Sequence, residues 1–210
     1  MKKLILMILL TTSLAGLLAP GQGYFVFQTG KSQVWGGFGH LPTNVNVAFL
    51  WAANGSTPTV SSILTSTPTG PFPAGFPVTA AWVDVLTDPN FTLAVNNASG
   101  QLAIQPVSAI GSINYNAGSA FPVTGTDVGV TYTLFMLGWD GNYATPALAA
   151  AANAAIGWSS PFSYTAYALT VTPTSFAGLT GPFGIGTPEP STMALAALSG
   201  LSFRLLRHRR

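Results

Sequence analysis

The chain has 210 residues, and only 6% of them are charged. Six of its seven basic residues lie at the two ends, so the long central region holds one lysine against four aspartates and lacks the basic surface that binds nucleic-acid phosphates. No cysteine is present, which excludes a thiol nucleophile and a cysteine-ligated zinc or iron–sulfur site.

The first segment has the layout of a secretory signal peptide. Two lysines precede an apolar stretch from Leu4 to Leu10, and small residues follow. Gly21 and Gly23 occupy the two small-residue positions before a cut after Gly23. We therefore predict a signal peptide over residues 1–23 and export of the domain behind it. The alternatives are a buried core helix and an uncleaved anchor.

Between the two ends the pattern is typical of strands. Three long runs alternate with period two, namely NVNVAFLW from Asn44, VGVTYTLFMLGW from Val128 and SYTAYALTVT from Ser163. Shorter strand candidates are YFVFQ, TVSSIL, FPVTAAWVDV, FTLAV and QLAIQPV. The residues expected to share a face are Val45, Val47, Phe49 and Trp51 in the first run, Val128, Val130, Tyr132, Leu134 and Met136 in the second, and Tyr167, Leu169 and Val171 in the third.

Turn residues separate these runs, as in TDPN, NNASG and WDGN. Short strands divided in this way predict a mainly β fold, a single antiparallel β-sandwich of the jelly-roll or immunoglobulin-like kind over residues 24–186. One segment differs, because Thr145 is a potential N-cap, Pro146 follows it and an alanine run leads to Gly157. It predicts one short Ala-rich helix near residues 146–156, and the alternative is a flexible loop.

Few residues in this region suit catalysis. His40 is its only histidine, and no G-x-S-x-G nucleophile motif occurs. Asp84 and Asp88 lie four residues apart, but the second begins an Asp-Pro-Asn turn and the pair lacks the oxygen ligands that calcium needs. Asp140, in WDGN, is better explained as a turn residue than as a ligand. We expect neither a metal nor a cofactor.

The aromatic residues raise the question of sugar stacking. Tryptophans in alternating runs are expected to pack in the core, and Trp35 in QVWGGFGH is the one least committed to it. Trp35 and His40 are therefore the candidate ligand contacts of the domain.

The end of the chain has a second targeting pattern. Residues from Met193 to Phe203 are apolar or small, and a basic tail follows at once, made of Arg204, Arg207, Arg209 and Arg210. Arginines after an apolar stretch are held in the cytoplasm, which leaves the preceding domain on the far side of the membrane. The run is short for a span, so we place a short transmembrane segment at about residues 193–206.

This ending resembles a known signal. The order Pro188-Glu189-Pro190-Ser191-Thr192, apolar segment and arginine-rich tail is similar to the PEP-CTERM sorting signal of Gram-negative bacteria, here over residues 187–210. The resemblance implies that an exosortase, a membrane-embedded cysteine protease, cuts near the motif and releases or attaches the domain at the cell surface, commonly alongside exopolysaccharide production. The alternative is an ordinary tail anchor.

A second stretch, from Val128 to Tyr164, is similar to a segment found in many PEP-CTERM ectodomains. It has a strand that ends in Trp139-Asp140, an alanine-rich segment, and then Gly157-Trp158-Ser159. The likeness implies a β-sandwich and no particular reaction.

Function is predicted from these signals together. We expect a non-enzymatic protein of the cell surface or extracellular matrix, whose partners are the exosortase, the inner membrane before processing and exopolysaccharide. The alternative from another class is a secreted hydrolase, or a carbohydrate-binding module, that acts on exopolysaccharide. A third hypothesis is self-assembly through exposed strand edges.

Overall fold

The computed structural model describes residues 21–35, 44–58 and 78–186. Within these ranges the chain forms twelve strands and two α-helices. The strands are β1 (Gln22–Phe25), β2 (Val34–Trp35), β3 (Val45–Ala53), β4 (Thr92–Leu93), β5 (Val95–Asn96), β6 (Gln101–Leu102), β7 (Gln105–Pro106), β8 (Phe121–Asp127), β9 (Thr131–Asp140), β10 (Ile156–Trp158), β11 (Phe162–Thr165) and β12 (Phe183–Gly184). The helices are α1 (Val78–Leu86) and α2 (Pro146–Ala151). The fold is therefore mainly β, as predicted.

The larger sheet is built on the pair of long strands β3 and β9. They run antiparallel from Val45 opposite Asp140 to Ala53 opposite Tyr132. Strands β4 and β7 pair with the outer edge of β3, and β10 and β11 pair with the outer edge of β9. A second antiparallel sheet has the order β1-β8-β5-β6, and β2 and β12 form a short parallel pair.

The two antiparallel sheets enclose an aromatic core. Val45, Val47 and Phe49 of β3 lie in it, as the alternation predicted, and so do Tyr132, Leu134 and Met136 of β9. Phe25 of β1 stacks on Phe49 across the sheets, with ring centroids 5.7 Å apart. Large apolar side chains from both sheets thus exclude water from a single interior, which is the main source of stability for such a sandwich.

The opposite face of the larger sheet is also covered. Leu50 of β3 and Leu137 and Trp139 of β9 pack beneath α1 and α2 in a second buried cluster. The half-buried strands expected from the alternation are therefore buried on both faces. The helices take the place that solvent has in a two-layer sandwich.

Helix α1 corrects the prediction that FPVTAAWVDV is a strand. Its buried residues are Ala81, Trp82 and Val85, a spacing that places them on one side of a helix. Trp82 also donates a hydrogen bond from Nε1 to the Ala154 carbonyl at 2.9 Å, which ties α1 to the segment after α2. The expectation of a single helix was therefore wrong. The valines of FPVTAAWVDV favour a strand, whereas its buried residues have the spacing of a helix.

Helix α2 begins as predicted and ends early. Thr145 is the N-cap and its side chain accepts a hydrogen bond from the Leu148 amide, with Pro146 at the first helical position. The helix ends at Ala151, and Asn153 adopts a left-handed conformation at φ 50° that turns the chain. Gly157 does not stop the helix, because it lies in β10, whose Ile156 and Trp158 are buried.

The third long run follows its prediction only at the start. Strand β11 pairs with β9 up to Thr165 opposite Thr131, and Tyr167 then forms an isolated bridge with Tyr24. Leu169 and Val171 leave the sheet and are exposed by 66% and 50%. In the second run, Val128 and Val130 were expected to share the buried face of the strand, but they lie before β9 begins and are exposed.

Of the shorter strand candidates, YFVFQ overlaps β1, FTLAV contains β4, QLAIQPV contains β6 and β7, and TVSSIL lies outside the described residues.

The last described residues form a C-terminal strap, residues 183–186, that is inserted between β2 and β10. The Phe183 amide donates to the Gln33 carbonyl at 2.9 Å and the Ile185 amide to the Trp35 carbonyl at 2.8 Å. Gly186 bridges Ile156. The strap thus joins the core three residues before Glu189.

In the described ranges, no helix has the length and apolar character needed to span a membrane. The proposed span at 193–206 lies outside these ranges.

Candidate ligand groove

An open groove of about 550 Å³ lies beside the segment that follows β1. One wall is the loop 169–175, and the other is formed by residues 118–120. Val26 and Gln28 line it between the two walls. Its polar lining is Gln28, Ser119, Thr170, Thr172 and Ser175, and its apolar lining includes Leu169, Val171 and Pro173.

The loop wall is fixed at both ends by the sheet edge. Tyr24 and Tyr167 exchange two backbone hydrogen bonds at 2.9 and 3.1 Å, and Val26 forms a parallel bridge with Ser175. Tyr164, buried beneath the loop, accepts a hydrogen bond from the Val26 amide and donates one to the Thr174 carbonyl at 2.7 Å. The loop is thus held in place although its outward side chains are exposed.

The second wall rests on a strained turn. Gln28 bridges Asn114, after which the 3-10 turn Tyr115–Gly118 follows. Asn116 and Ala117 have left-handed backbone at φ 50° and 53°, and Gly118 at 77°. A β-carbon on Gly118 would lie 3.2 Å from the Gln28 carboxamide, so glycine supplies both the backbone conformation and the space beside that group. Such strain is often retained at functional positions.

The groove is electrically neutral. None of the described residues that line it is an Asp, Glu, Lys, Arg or His. Burial raises the pKa of Tyr164 below it to about 12, so its phenol stays protonated at neutral pH. Hydroxyls, one carboxamide and aliphatic surface suit hydrogen bonding and contact with an uncharged polar ligand, and they supply no general acid or base.

Of the two sequence-predicted ligand contacts, Trp35 is not among the described residues that line this groove. Trp35 is half-buried in β2, and its Nε1 donates to the Ser32 carbonyl at 2.9 Å. His40 lies outside the described residues, as do the whole sorting motif and the basic tail. The structure therefore does not bring Trp35 to the groove.

Asp88 and Asp140 are turn residues. Asp140 accepts a hydrogen bond from the Asn142 amide at 3.0 Å, which confirms the predicted Asx-turn. Asp88 is buried and accepts from the Asn90 amide at 2.9 Å. Asp84 lies on α1 and Asp127 at the end of β8. Over the described part of the chain, no three His, Cys, Asp or Glu side chains gather as a metal site would require.

The remaining tryptophans are structural. Trp82, Trp139 and Trp158 are almost fully buried, as predicted for tryptophans in apolar runs. Trp51 is half-buried at the end of β3 and packs edge-on against Tyr132, with ring centroids 5.3 Å apart. None of these rings lines the groove.

Sequence reasoning missed the groove because its residues were assigned to a strand. The signal was present in TVTPTS, residues 170–175, where proline interrupts a run of hydroxyl residues. Proline there argues for a loop, and the preceding Leu169 and Val171 are then free to lie at the surface.

Comparison of the chain with protein-family models, with characterised proteins and with solved structures finds no match.

Proposed function

We propose that this is an exported protein of the cell surface or extracellular matrix, processed by an exosortase at a PEP-CTERM signal. The two-ended pattern supports this: lysines and an apolar segment at the start, and Pro188-Glu189-Pro190, an apolar segment and arginines at the end. Before processing, the short segment at about 193–206 holds the domain at the inner membrane. The domain itself is a single β-sandwich ectodomain of the jelly-roll or immunoglobulin-like kind.

The ectodomain binds a neutral stretch of exopolysaccharide in the groove. The observation that carries this proposal is the chemistry of the described lining, which is made of hydroxyls, the Gln28 carboxamide and aliphatic side chains without an ionisable group. Sugar hydroxyls both donate and accept hydrogen bonds, as do Ser and Thr hydroxyls. Exposed Leu169 and Val171 offer apolar contact to the C–H faces of sugar rings. A volume of about 550 Å³ falls within the range of small-molecule sites.

A non-enzymatic role is favoured over hydrolysis. Hydrolysis of a glycosidic bond ordinarily needs two carboxylates that face each other across the cleft. The four aspartates of the described region lie on α1, in the turn after it, and at the ends of β8 and β9, and none lines the groove. A secreted hydrolase is the alternative, and it would have to place its acids elsewhere.

Self-assembly through strand edges is less favoured. Among the described edge strands, β4, β6 and β7 have two residues each, and β11 has four. Very short edge strands offer few unpaired backbone groups to a second chain. The sheet edges therefore give little template for assembly.

A binding assay with exopolysaccharide from the producing cells tests the groove. Thr172→Ala and Ser119→Ala each remove one exposed hydroxyl from the lining, and each should weaken binding about three- to tenfold, the worth of one hydrogen bond. Thr92→Ala, which removes an exposed hydroxyl from β4, is the matched control and should bind as the wild type does. Equal affinity of all four proteins would show that exopolysaccharide does not bind in the groove. Release of new reducing ends from the exopolysaccharide would favour the hydrolase.

A further inference from the structure

Two places close to the start of β1 suit a cut of the predicted signal peptide. Small residues at the two recognition positions occur as Gly21 and Gly23, which predicts a cut after Gly23, and also as Ala19 and Gly21, which predicts a cut after Gly21. The sequence alone admits both. The two products differ by Gln22 and Gly23, and the fold uses these two residues in different ways.

Gln22 is built into the sheet by its side chain and its backbone. Its Nε2 donates to the Val123 carbonyl of β8 at 2.6 Å, and its Oε1 accepts from the Asn97 side chain at 2.5 Å. In the strand pairing it lies opposite Asp127. Removal of Gln22 would take away the donor to Val123 and leave the Asn97 amide without this acceptor.

Gly23 is buried in a space shaped for a residue without a side chain. A β-carbon there would lie 2.6 Å from the Ala166 β-carbon and 2.8 Å from Thr126 Oγ1. The buried Thr126 hydroxyl lies 3.4 Å from the Gly23 carbonyl and donates to Val123 at 2.8 Å. A chain that began at Tyr24 would leave this close-packed position empty.

Charge also distinguishes the two ends. A cut after Gly21 creates an ammonium group on Gln22, a half-buried residue that lies opposite Asp127 in the strand pairing. A cut after Gly23 creates the ammonium group on the Tyr24 nitrogen, which donates a hydrogen bond to the Tyr167 carbonyl within the strand pairing. The ammonium group is better tolerated on Gln22, which lies opposite an acidic residue, than on the Tyr24 nitrogen, which takes part in the pairing with Tyr167.

We infer that the signal peptidase cuts after Gly21, so that the mature protein begins at Gln22. This inference rests on the proposed export. Gln22 is then both the first residue of the mature protein and the first residue of β1, and its side chain attaches the new terminus to β8 and to Asn97 by hydrogen bonds. The cut after Gly23 predicted from the sequence is thereby moved by two residues.

The test is mass spectrometry of the amino-terminal peptide of the full-length protein after export. Ala19→Leu blocks the first recognition position of the proposed cut, whereas Pro20→Leu adds a side chain of the same size at a position that neither cut reads. We expect wild-type and Pro20→Leu proteins to begin at Gln22, and Ala19→Leu to give no protein that begins at Gln22, because only the cut after Gly23 remains open to it.

The other outcomes overturn the inference in distinguishable ways. If the exported wild-type protein and both variants begin at Tyr24, the cut after Gly21 is overturned and the proposed export stays intact. An exported wild-type protein that begins at any residue other than Gln22 has the same consequence. A wild-type protein that keeps its first twenty residues and stays inside the cell overturns both the inference and the proposed export.

Discussion

Gly157 of β10 and Gly184 of β12 touch through their backbones. A β-carbon on Gly157 would overlap the carbonyl oxygen of Gly184 and crowd the Ile185 α-carbon. Gly138 of β9 is placed similarly, because a β-carbon there would overlap the Ile185 side chain. Gly138 and Gly157 form the surface on which the C-terminal strap lies. The strap ends at residue 186, and the proposed sorting motif begins two positions later, at Pro188.

Gly157→Ala should therefore destabilise the domain. Neither backbone can move without breaking strand pairing, so we expect a loss of about 3 kcal/mol in the free energy of unfolding, the upper part of the usual range for overpacking. Gly30→Ala is the matched control, since a β-carbon there meets nothing within 4 Å. Urea denaturation of both variants measures the difference, and equal midpoints would show that the strap is not packed as described.

Tyr164 predicts a loss of stability in alkali. Burial raises its pKa from 10.0 to about 12, so between these values the folded protein keeps a proton that the unfolded chain has lost. The stability is full below pH 10 and falls as the pH rises toward 12. Tyr164→Phe should lower stability at neutral pH, because it removes the hydrogen bonds to Val26 and Thr174, and should flatten this pH dependence. Denaturation midpoints of both proteins, measured between pH 10 and pH 12, test this expectation. An equally steep fall of stability with pH in Tyr164→Phe would show that Tyr164 does not cause the fall.

The N-cap of α2 gives a smaller effect. Thr145 Oγ1 accepts from the Leu148 amide at 3.3 Å, and its loss in Thr145→Ala should cost about 1 kcal/mol. Thr145→Ser keeps the oxygen and should retain most of the stability. Thermal unfolding compares the three proteins. Equal losses in both variants would mean that the methyl group, and not the cap, matters.

Binding in the groove should be nearly independent of salt. No described lining residue carries a charge, so there is no electrostatic attraction for salt to screen. The affinity for exopolysaccharide is expected to change less than about twofold between dilute buffer and about 1 M salt, where the Debye length falls to about 3 Å. A steep decline of affinity with salt would show that the ligand is bound by charged residues elsewhere.

The parts of the fold that were predicted correctly depend on local patterns. Val45, Val47 and Phe49 alternate along β3, and Thr145-Pro146 begins α2, because period and capping are written in adjacent residues. The role of Gly157 was not predictable, since a glycine after an alanine run is a plausible helix stop. Only its contact with Gly184, 27 positions along the chain, shows why it is glycine.

The candidate site was less accessible to sequence reasoning. Trp35 was singled out as the tryptophan least committed to the core, but it is half-buried in β2, which pairs with the distant strand β12. The groove is formed where the loop 169–175 approaches residues 118–120, and no local pattern reports that approach. Its neutrality was nevertheless visible in a composition with 6% charged residues.

The proposed processing depends on the tail, and replacement of Glu189 should affect it more than any other single substitution. Glu189 carries the only negatively charged side chain after Asp140, and we expect the prolines on either side of it to favour an extended backbone, the form that a protease binds. Glu189→Gln keeps the shape and removes the charge.

The decisive measurement is the mass of the carboxy-terminal peptide, from cells that contain the exosortase. We expect wild-type protein to lack the residues after the motif, while Glu189→Gln is folded, exported and retained in the inner membrane with its last residue, Arg210, intact. A wild-type protein that keeps Arg210 would contradict processing and leave an ordinary tail anchor. A variant cut as efficiently as the wild type would show that the charge of Glu189 is not recognised.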